Sequence, residues 1–345
     1  MKKTSRKHLA WLGLVILMSG PAAAQEARED RAAADAWDIL AKAGRQASDL
    51  RVRIVYSLSG IEGNDGAFRL GEAIPVETLV DQVRGSTDPI VLSLMVDRCS
   101  NDLSKAGRCD AVDLARRWTV ADTQNQLAWI ALATVLANRG DIDAARTAFR
   151  RAAQASQWRE YYPEIGRALE MAAPQTHDAK ERTAMLLAVL TKSFGSLPNV
   201  HYQTINNRCK EVELIAACGR ILETMSRDAR SLMTLTVAAK LATARNALPP
   251  ATMNTVQQRA DAMHWASLSS VRQFQEEPDS EAEAARSVSY LEALIAHGEI
   301  EMLRGYLQRE RLGESEAARN YVATLSPEQL ARRTYPSVKA TSSTS

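Results

Sequence analysis

The sequence predicts an all-α fold, an α-α superhelix of irregular helical hairpins, on three observations. Glycine is scarce (16 of 345 residues), aromatics make up 5%, and Ala, Leu, Arg and Glu are abundant, a balance that favours helix. Apolar residues recur at three- and four-residue spacings in one segment after another. From Pro75 onward, helix-starting signals punctuate the chain at intervals, among them Asp88-Pro89, Asp141 and Ser326-Pro327.

Residues 1–24 read as a secretory signal. Lys2, Lys3, Arg6 and Lys7 form a basic start, Leu9 to Met18 is a short apolar core, and Ala22-Ala23-Ala24 offers small residues for cleavage before Gln25. The expectation is an exported protein of the periplasm with no integral membrane span after signal removal. Four of the 43 basic residues and none of the 41 acidic ones lie in the signal, so the mature chain carries a net charge of about −2. That balance gives no electrostatic case for a nucleic-acid partner.

Residues 25–74 form an N-terminal helical or irregular segment. Trp37, Ile39, Leu40 and Ala43 share one helical face. The run Leu50–Tyr56 alternates for a few residues. It reads either as a strand pairing with Phe68-Arg69-Leu70 across the Gly63-Asn64-Asp65-Gly66 turn, or as the end of a helix.

Residues 75–247 form a helical-repeat domain. Pro75–Val83 makes a short helix. Asp88 caps the next, with Pro89 at the first helical position where no amide hydrogen is needed. It ends near Cys99, and another helix covers Cys109–Trp118. Thr123-Gln124-Asn125-Gln126 has the form of a capping box. The stretch Gln126–Gln157 then reads as two helices joined at Gly140-Asp141, the glycine ending one and the aspartate capping the next. Downstream helices are predicted over Trp158–Ala173, Lys180–Phe194, Val200–Arg208, Leu214–Ser226 and Leu232–Asn246.

Residues 248–334 form a C-terminal long-helix segment packed on the repeats. Leu248-Pro249-Pro250 breaks the chain and starts a helix over Ala251–Phe274. The acidic run from Glu276 to Glu283 reads as a solvated turn with Ser280 as cap. A helix from Glu281 to about Leu312, interrupted at Gly298, follows, and Ser326-Pro327 starts a last one. Residues 335–345 read as a disordered tail.

Within Gln126–Gln157, Trp129, Leu132, Ala133, Leu136, Ala145, Phe149 and Ala152 stand at the spacings of the tetratricopeptide repeat. The stretch resembles one such repeat, with Ala133 where the family prefers glycine and Gln157 where it prefers proline. The resemblance implies a solenoid, since one unit cannot bury its own face and at least about three must stack. It also implies that the first helix of the hairpin lines a groove, through Leu127, Ile130, Thr134, Ala137 and Asn138. A groove of that character suits an apolar helix or extended peptide.

Cys99, Cys109, Cys209 and Cys218 can pair in three ways. Each close pair falls around a helix–helix turn, so Cys99–Cys109 and Cys209–Cys218 are the expected disulfides. The spacings Cys-x9-Cys and Cys-x8-Cys are unlike those of zinc sites, and no metal or cofactor is expected.

Reaction signatures are sparse. There is no His-Glu-x-x-His, no phosphate-cradling Gly-rich loop, and no Gly-x-Ser-x-Gly or Ser-x-x-Lys. His177, His201, His264 and His297 are scattered. Glu299 and Glu301 beside Gly298 are conceivable acids, better explained by an exposed helix start. The cluster Trp158-Arg159-Glu160-Tyr161-Tyr162-Pro163 is the densest in aromatics; Trp158 and Tyr161 read as partner contacts or as a wedge between hairpins. The function expected is a non-catalytic scaffold or adaptor that binds an envelope protein or peptide. The alternatives are a peptidoglycan lytic-type enzyme using carboxylates and a small-ligand or glycan-binding helical domain.

Overall fold

The computed structural model describes residues 36–58, 61–62, 68–69, 76–100, 109–195, 202–274 and 281–333, apart from residues 37–38, 45 and 177. The signal expected at residues 1–24 and the tail at 335–345 lie outside the described residues.

The fold is all-α, as expected. Helical residues over 39–44 precede α1 (Leu50–Leu58), α2 (Val76–Val83), α3 (Pro89–Arg98), α4 (Ala111–Ala121), α5 (Gln126–Asn138), α6 (Ile142–Ala152), α7 (Tyr162–Ala172) and α8 (Ala179–Gly195). Then come α9 (Tyr202–Arg208), a 3-10 turn over Val212–Leu214, α10 (Ile215–Asp228), α11 (Leu232–Arg245), α12 (Pro250–Phe274), α13 (Glu281–His297), α14 (Glu299–Arg309), α15 (Glu314–Ala323) and α16 (Pro327–Arg333). Among the described residues no helix is long and apolar enough to cross a membrane.

Two segments that the sequence left open are decided by the structure. Leu50–Leu58 is helix, so it is not the first strand of a hairpin; Phe68–Arg69 does pair antiparallel, but with Ile61–Glu62. Val52, Ile54 and Val55 are all buried, because α1 is packed by α3, α7 and α8 and a two-faced strand pattern is not required of it. Helix α15 lies in a stretch with no strong start signal; its cap is Gly313, without a side-chain bond. Packing against α12 buries Ala317 and Ala318 and holds it in place.

Helix ends follow the capping chemistry. Asp88 Oδ1 accepts from Ile90 N at 2.9 Å, and the same carboxylate pairs with Arg51 at 2.7 Å, tying α1 to the start of α3. Asp110 caps α4 through Val112 N at 2.9 Å. At α5 the cap is Asn125, which accepts from Leu127 N at 3.0 Å, so the start lies two residues beyond the Thr123 of the expected box. Gly140 has φ +83°, and Asp141 accepts from Ala144 N at 3.1 Å, so the α5–α6 turn is built as expected. Gly298 has φ +89° and separates α13 from α14 at the expected break.

The helices fall into two groups. In the first, α3, α4, α5 and α6 pack each on the next, α6 meets α10, and α10, α11 and α12 continue to α14 and α15. In the second, α7 and α8 leave this row and pack with α13 and α1; α1 reaches α3, and α13 reaches α14. Arg182 on α8 joins this packet, bonding both Glu170 on α7 and Glu292 on α13. One apolar cluster runs through both groups, from Ala36 to Ala318. The pairs Cys99–Cys109 and Cys209–Cys218 are disulfide-bonded, with Cα–Cα separations of 5.8 and 5.4 Å, as expected.

Candidate interaction surface

The groove expected along α5 is not open. Leu127 and Ile130 are 0% exposed, and Ala137 packs half-buried against the core. Thr134 is covered by α9, its hydroxyl donating to Ile130 O at 2.9 Å and Thr204 Oγ1 at 2.8 Å. Asn138 alone is exposed. The reason is in the composition of the helix: QLAWIALATVLAN is apolar all round, and nine of its thirteen residues are buried. Such a helix is enclosed on every side and offers no amphipathic face. Trp129 is only partly buried, with its indole N–H on Thr123 O at 2.9 Å.

Trp158 and Tyr161 are likewise interior, at 2% and 5% exposure. They belong to a polar knot. The segment after α6 runs extended beside the start of α5, pairing Asn125 with Gln157 in a parallel bridge. Tyr161 adopts φ +59°, which turns its side chain inward. Its hydroxyl donates to Asp122 Oδ2 at 2.5 Å and accepts from Asn125 Nδ2 at 3.0 Å and Trp118 Nε1 at 3.2 Å. Burial, and then the bond to Asp122, raise its pKa.

The same segment reaches the other way. Trp158 N donates to Asp228 at 3.0 Å. Glu160, fully enclosed, accepts from Arg230 N at 3.2 Å and from the side chains of Thr234, Trp158 and Ser231. Tyr162 OH donates to Arg230 O at 2.5 Å and accepts from Glu299 N. Glu299 is not on an exposed face: it is half-buried, and its carboxylate accepts from Leu232 N at 2.6 Å. Its neighbour Glu301 is exposed, as expected. Burial raises the pKa of both Glu160 and Glu299.

What the surface does present is the turn at the second disulfide. Between Cys209 and Cys218 the chain makes a 3-10 turn that sends Leu214 into the core and leaves Val212 89% exposed. Glu211 braces it, accepting from Arg208 Nη1 at 2.6 Å and from Arg146 Nε, on α6, at 2.7 Å. Burial pushes the Glu211 carboxyl up, but the two arginines outweigh it and hold the group below its usual range. Beside Val212 lies an open depression of about 490 Å³. Cys209, Ile215 and Ala244 give it apolar walls, and Lys210 and Arg245 give it charge. Arg245 is fixed by a 2.6 Å bond to Asn206.

The chain matches no protein-family model, no curated protein and no solved structure. The site is therefore read from its chemistry. Among the described residues, no group of three or more His, Cys, Asp and Glu converges as a metal-ligand set. His264 is mostly enclosed, stacked on Tyr321 at 5.2 Å between centroids and bonded to Thr236 at 2.9 Å. Val212 and Arg245 carry no motif in the sequence. The signal for Val212 was the disulfide that closes a short loop around it; nothing local marks Arg245.

Proposed function

We propose that this chain is an exported, non-catalytic helical scaffold that holds another protein of the cell envelope, docking it on the Val212 turn rather than along α5. The observation that carries the reading is an apolar side chain, 89% exposed, on a turn that is cross-braced by the Cys209–Cys218 bond and the Arg146–Glu211 pair. A rigid apolar projection beside a depression loses little conformational freedom on binding, which favours association. Two disulfides among the described residues suit an oxidising compartment such as the periplasm.

The tetratricopeptide resemblance enters here as part of the same reading. It is supported by the Gly140-Asp141 turn and by the burial of Ala145, Phe149 and Ala152 at the repeat's packing positions. In this reading the hairpin α5–α6 is an inner unit of the scaffold, and its outer edge, through Arg146, positions the docking turn. The acids that folding brings together, Glu160 and Glu299, are engaged by backbone amides at the start of α11.

The test is site-specific photo-crosslinking of the full-length exported protein in its native envelope. A crosslinker at Val212 is expected to give one discrete adduct, lost on Lys210→Glu with Arg245→Glu. A crosslinker at Met171, which is 84% exposed on α7, serves as control. Equal adducts at both positions, or none at Val212, would reject the reading.

A further inference from the structure

Outside the docking turn, the least expected feature of the molecule is the meeting of two carboxylates where α7, α11 and α14 begin. Glu160 and Glu299 bond to amides two residues apart, Arg230 N and Leu232 N. The three segments are joined there by Ile300 N to Arg230 O at 3.2 Å, by Arg230 Nη1 to His297 O at 3.3 Å, and by Tyr162 OH. Among the described residues, no basic side chain forms an ion pair with either carboxylate, although ion pairs occur throughout the rest of the chain. Burial costs both carboxylates hydration, and the charge of Glu160 adds to that cost at Glu299, so Glu299 favours its protonated form.

The groups that face the pair can be followed element by element. From α7 comes Tyr162, and from α9 comes Tyr202, whose hydroxyl bonds Thr234 Oγ1 at 2.6 Å. From the linker between α10 and α11 comes Arg230, whose guanidinium is turned to the His297 carbonyl. From α10 comes Asp228, held by Trp158 N and Arg227. From α13 comes Tyr290, which senses the charge of Glu299 and, more weakly, of Arg309. Burial raises the pKa of all three tyrosines, so they stay neutral. Arg230 is the one cation of this set on the linker, and it bonds a carbonyl rather than a carboxylate.

We infer that this junction is a proton-held latch: the Glu299 carboxyl stays protonated while α14 is docked on α11, and loss of that proton to solvent as pH rises releases the docking. Glu299 rather than Glu160 carries the proton because of their hydrogen bonds. Glu160 accepts from four donors, which favours its anion, whereas Glu299 accepts from Leu232 N. The sign follows from linkage. A carboxyl whose folded-state pKa is raised contributes stability that is complete below its unfolded value and is lost as pH rises through the folded one. The inference does not depend on the docking surface and would hold for a protein with any partner.

Two measurements on the full-length, disulfide-bonded protein decide it. In a carboxyl-carbon NMR titration, one glutamate resonance, absent from Glu299→Gln, is expected to titrate above the range of ordinary glutamates. Hydrogen exchange at the Ile300 amide is expected to accelerate, as pH rises through that titration, at least about tenfold beyond its intrinsic pH dependence. In Glu299→Gln, which is neutral at every pH, that excess is expected to vanish. If every glutamate resonance of the unmodified protein titrates in the ordinary glutamate range, the latch does not exist, whatever the variant does. Excess exchange that persists unchanged in Glu299→Gln overturns it equally.

Discussion

At the scale of single residues, Tyr161 shows how a side chain chosen for its ring ends up acting through its hydroxyl. The ring fills space beside Trp118, at 6.2 Å between centroids, while the oxygen joins Asp122, Asn125 and Trp118. Tyr161→Phe keeps the ring and leaves three buried polar groups short of a partner. It is expected to cost about 1–3 kcal/mol, measured by urea denaturation against the unmodified protein. His264 is a second case. Burial, and next Lys240, lower its pKa to about 4. The folded state therefore favours the neutral ring, and its contribution is present above the unfolded value of 6.5 and lost as pH falls toward 4. Between those limits stability should drop by about 3 kcal/mol, and His264→Phe should remove most of that slope. Neither role was legible in the sequence. A tyrosine's hydroxyl and an isolated histidine take their meaning from residues 30 or more positions away, such as Asp122 for Tyr161 and Tyr321 for His264.

At the scale of elements, the sequence was most informative where chemistry is local. The Asp88 cap with Pro89, the Gly140 turn and the break at Gly298 depend on neighbours within a few positions, and each is found where it was expected. Both disulfides were legible for the same reason. The face of α5 was not. The tetratricopeptide resemblance implied that Ile130 faces a groove, but the helix is apolar on every side, and that uniformity was the signal of enclosure. Replacing both Cys209 and Cys218 by serine is expected to cost about 2–3 kcal/mol and to loosen the Val212 turn, which chemical denaturation and hydrogen exchange would register. Close packing of α10 on the chain after α11 gives another expectation. A Cβ on Gly219 would stand 2.3 Å from the Ala247 carbonyl oxygen, so Gly219→Ala should cost about 1–3 kcal/mol. Gly305 on α14 has only the end of Arg309 near it, at 3.6 Å, so Gly305→Ala should be neutral or stabilise by up to about 1 kcal/mol. A pair of melting curves distinguishes the two.

At the scale of the molecule, the two titrations oppose each other. His264 withdraws stability as pH falls, and the Glu160–Glu299 pair withdraws it as pH rises. The stability profile should be a dome in mid-range pH, with Glu299→Gln flattening its alkaline side and His264→Phe its acidic side. The all-helical class was readable from composition. The division into a row and a cross-packed group was not, because nothing in the spacing of α7 and α8 says that they leave the row to meet α1 and α13.

The segment Gln157–Tyr162 also bears on the order in which the chain can assemble. Its partners lie on both sides of it: Asp122 and Asn125 come earlier, Asp228 to Thr234 later, and Glu299 near the end. Chains are made from the N-terminus, and the early helices can gather while the rest is still arriving. Tyr161 can find its partners early and Glu160 once α11 has arrived, but the seam through Tyr162 must wait until α14 delivers Glu299 N. A linear array of repeats unfolds piecemeal from its ends; here the last helices to arrive close a seam through the middle, so the folded molecule should come apart in a single step and a nascent chain cut short before residue 299 should never complete its interior.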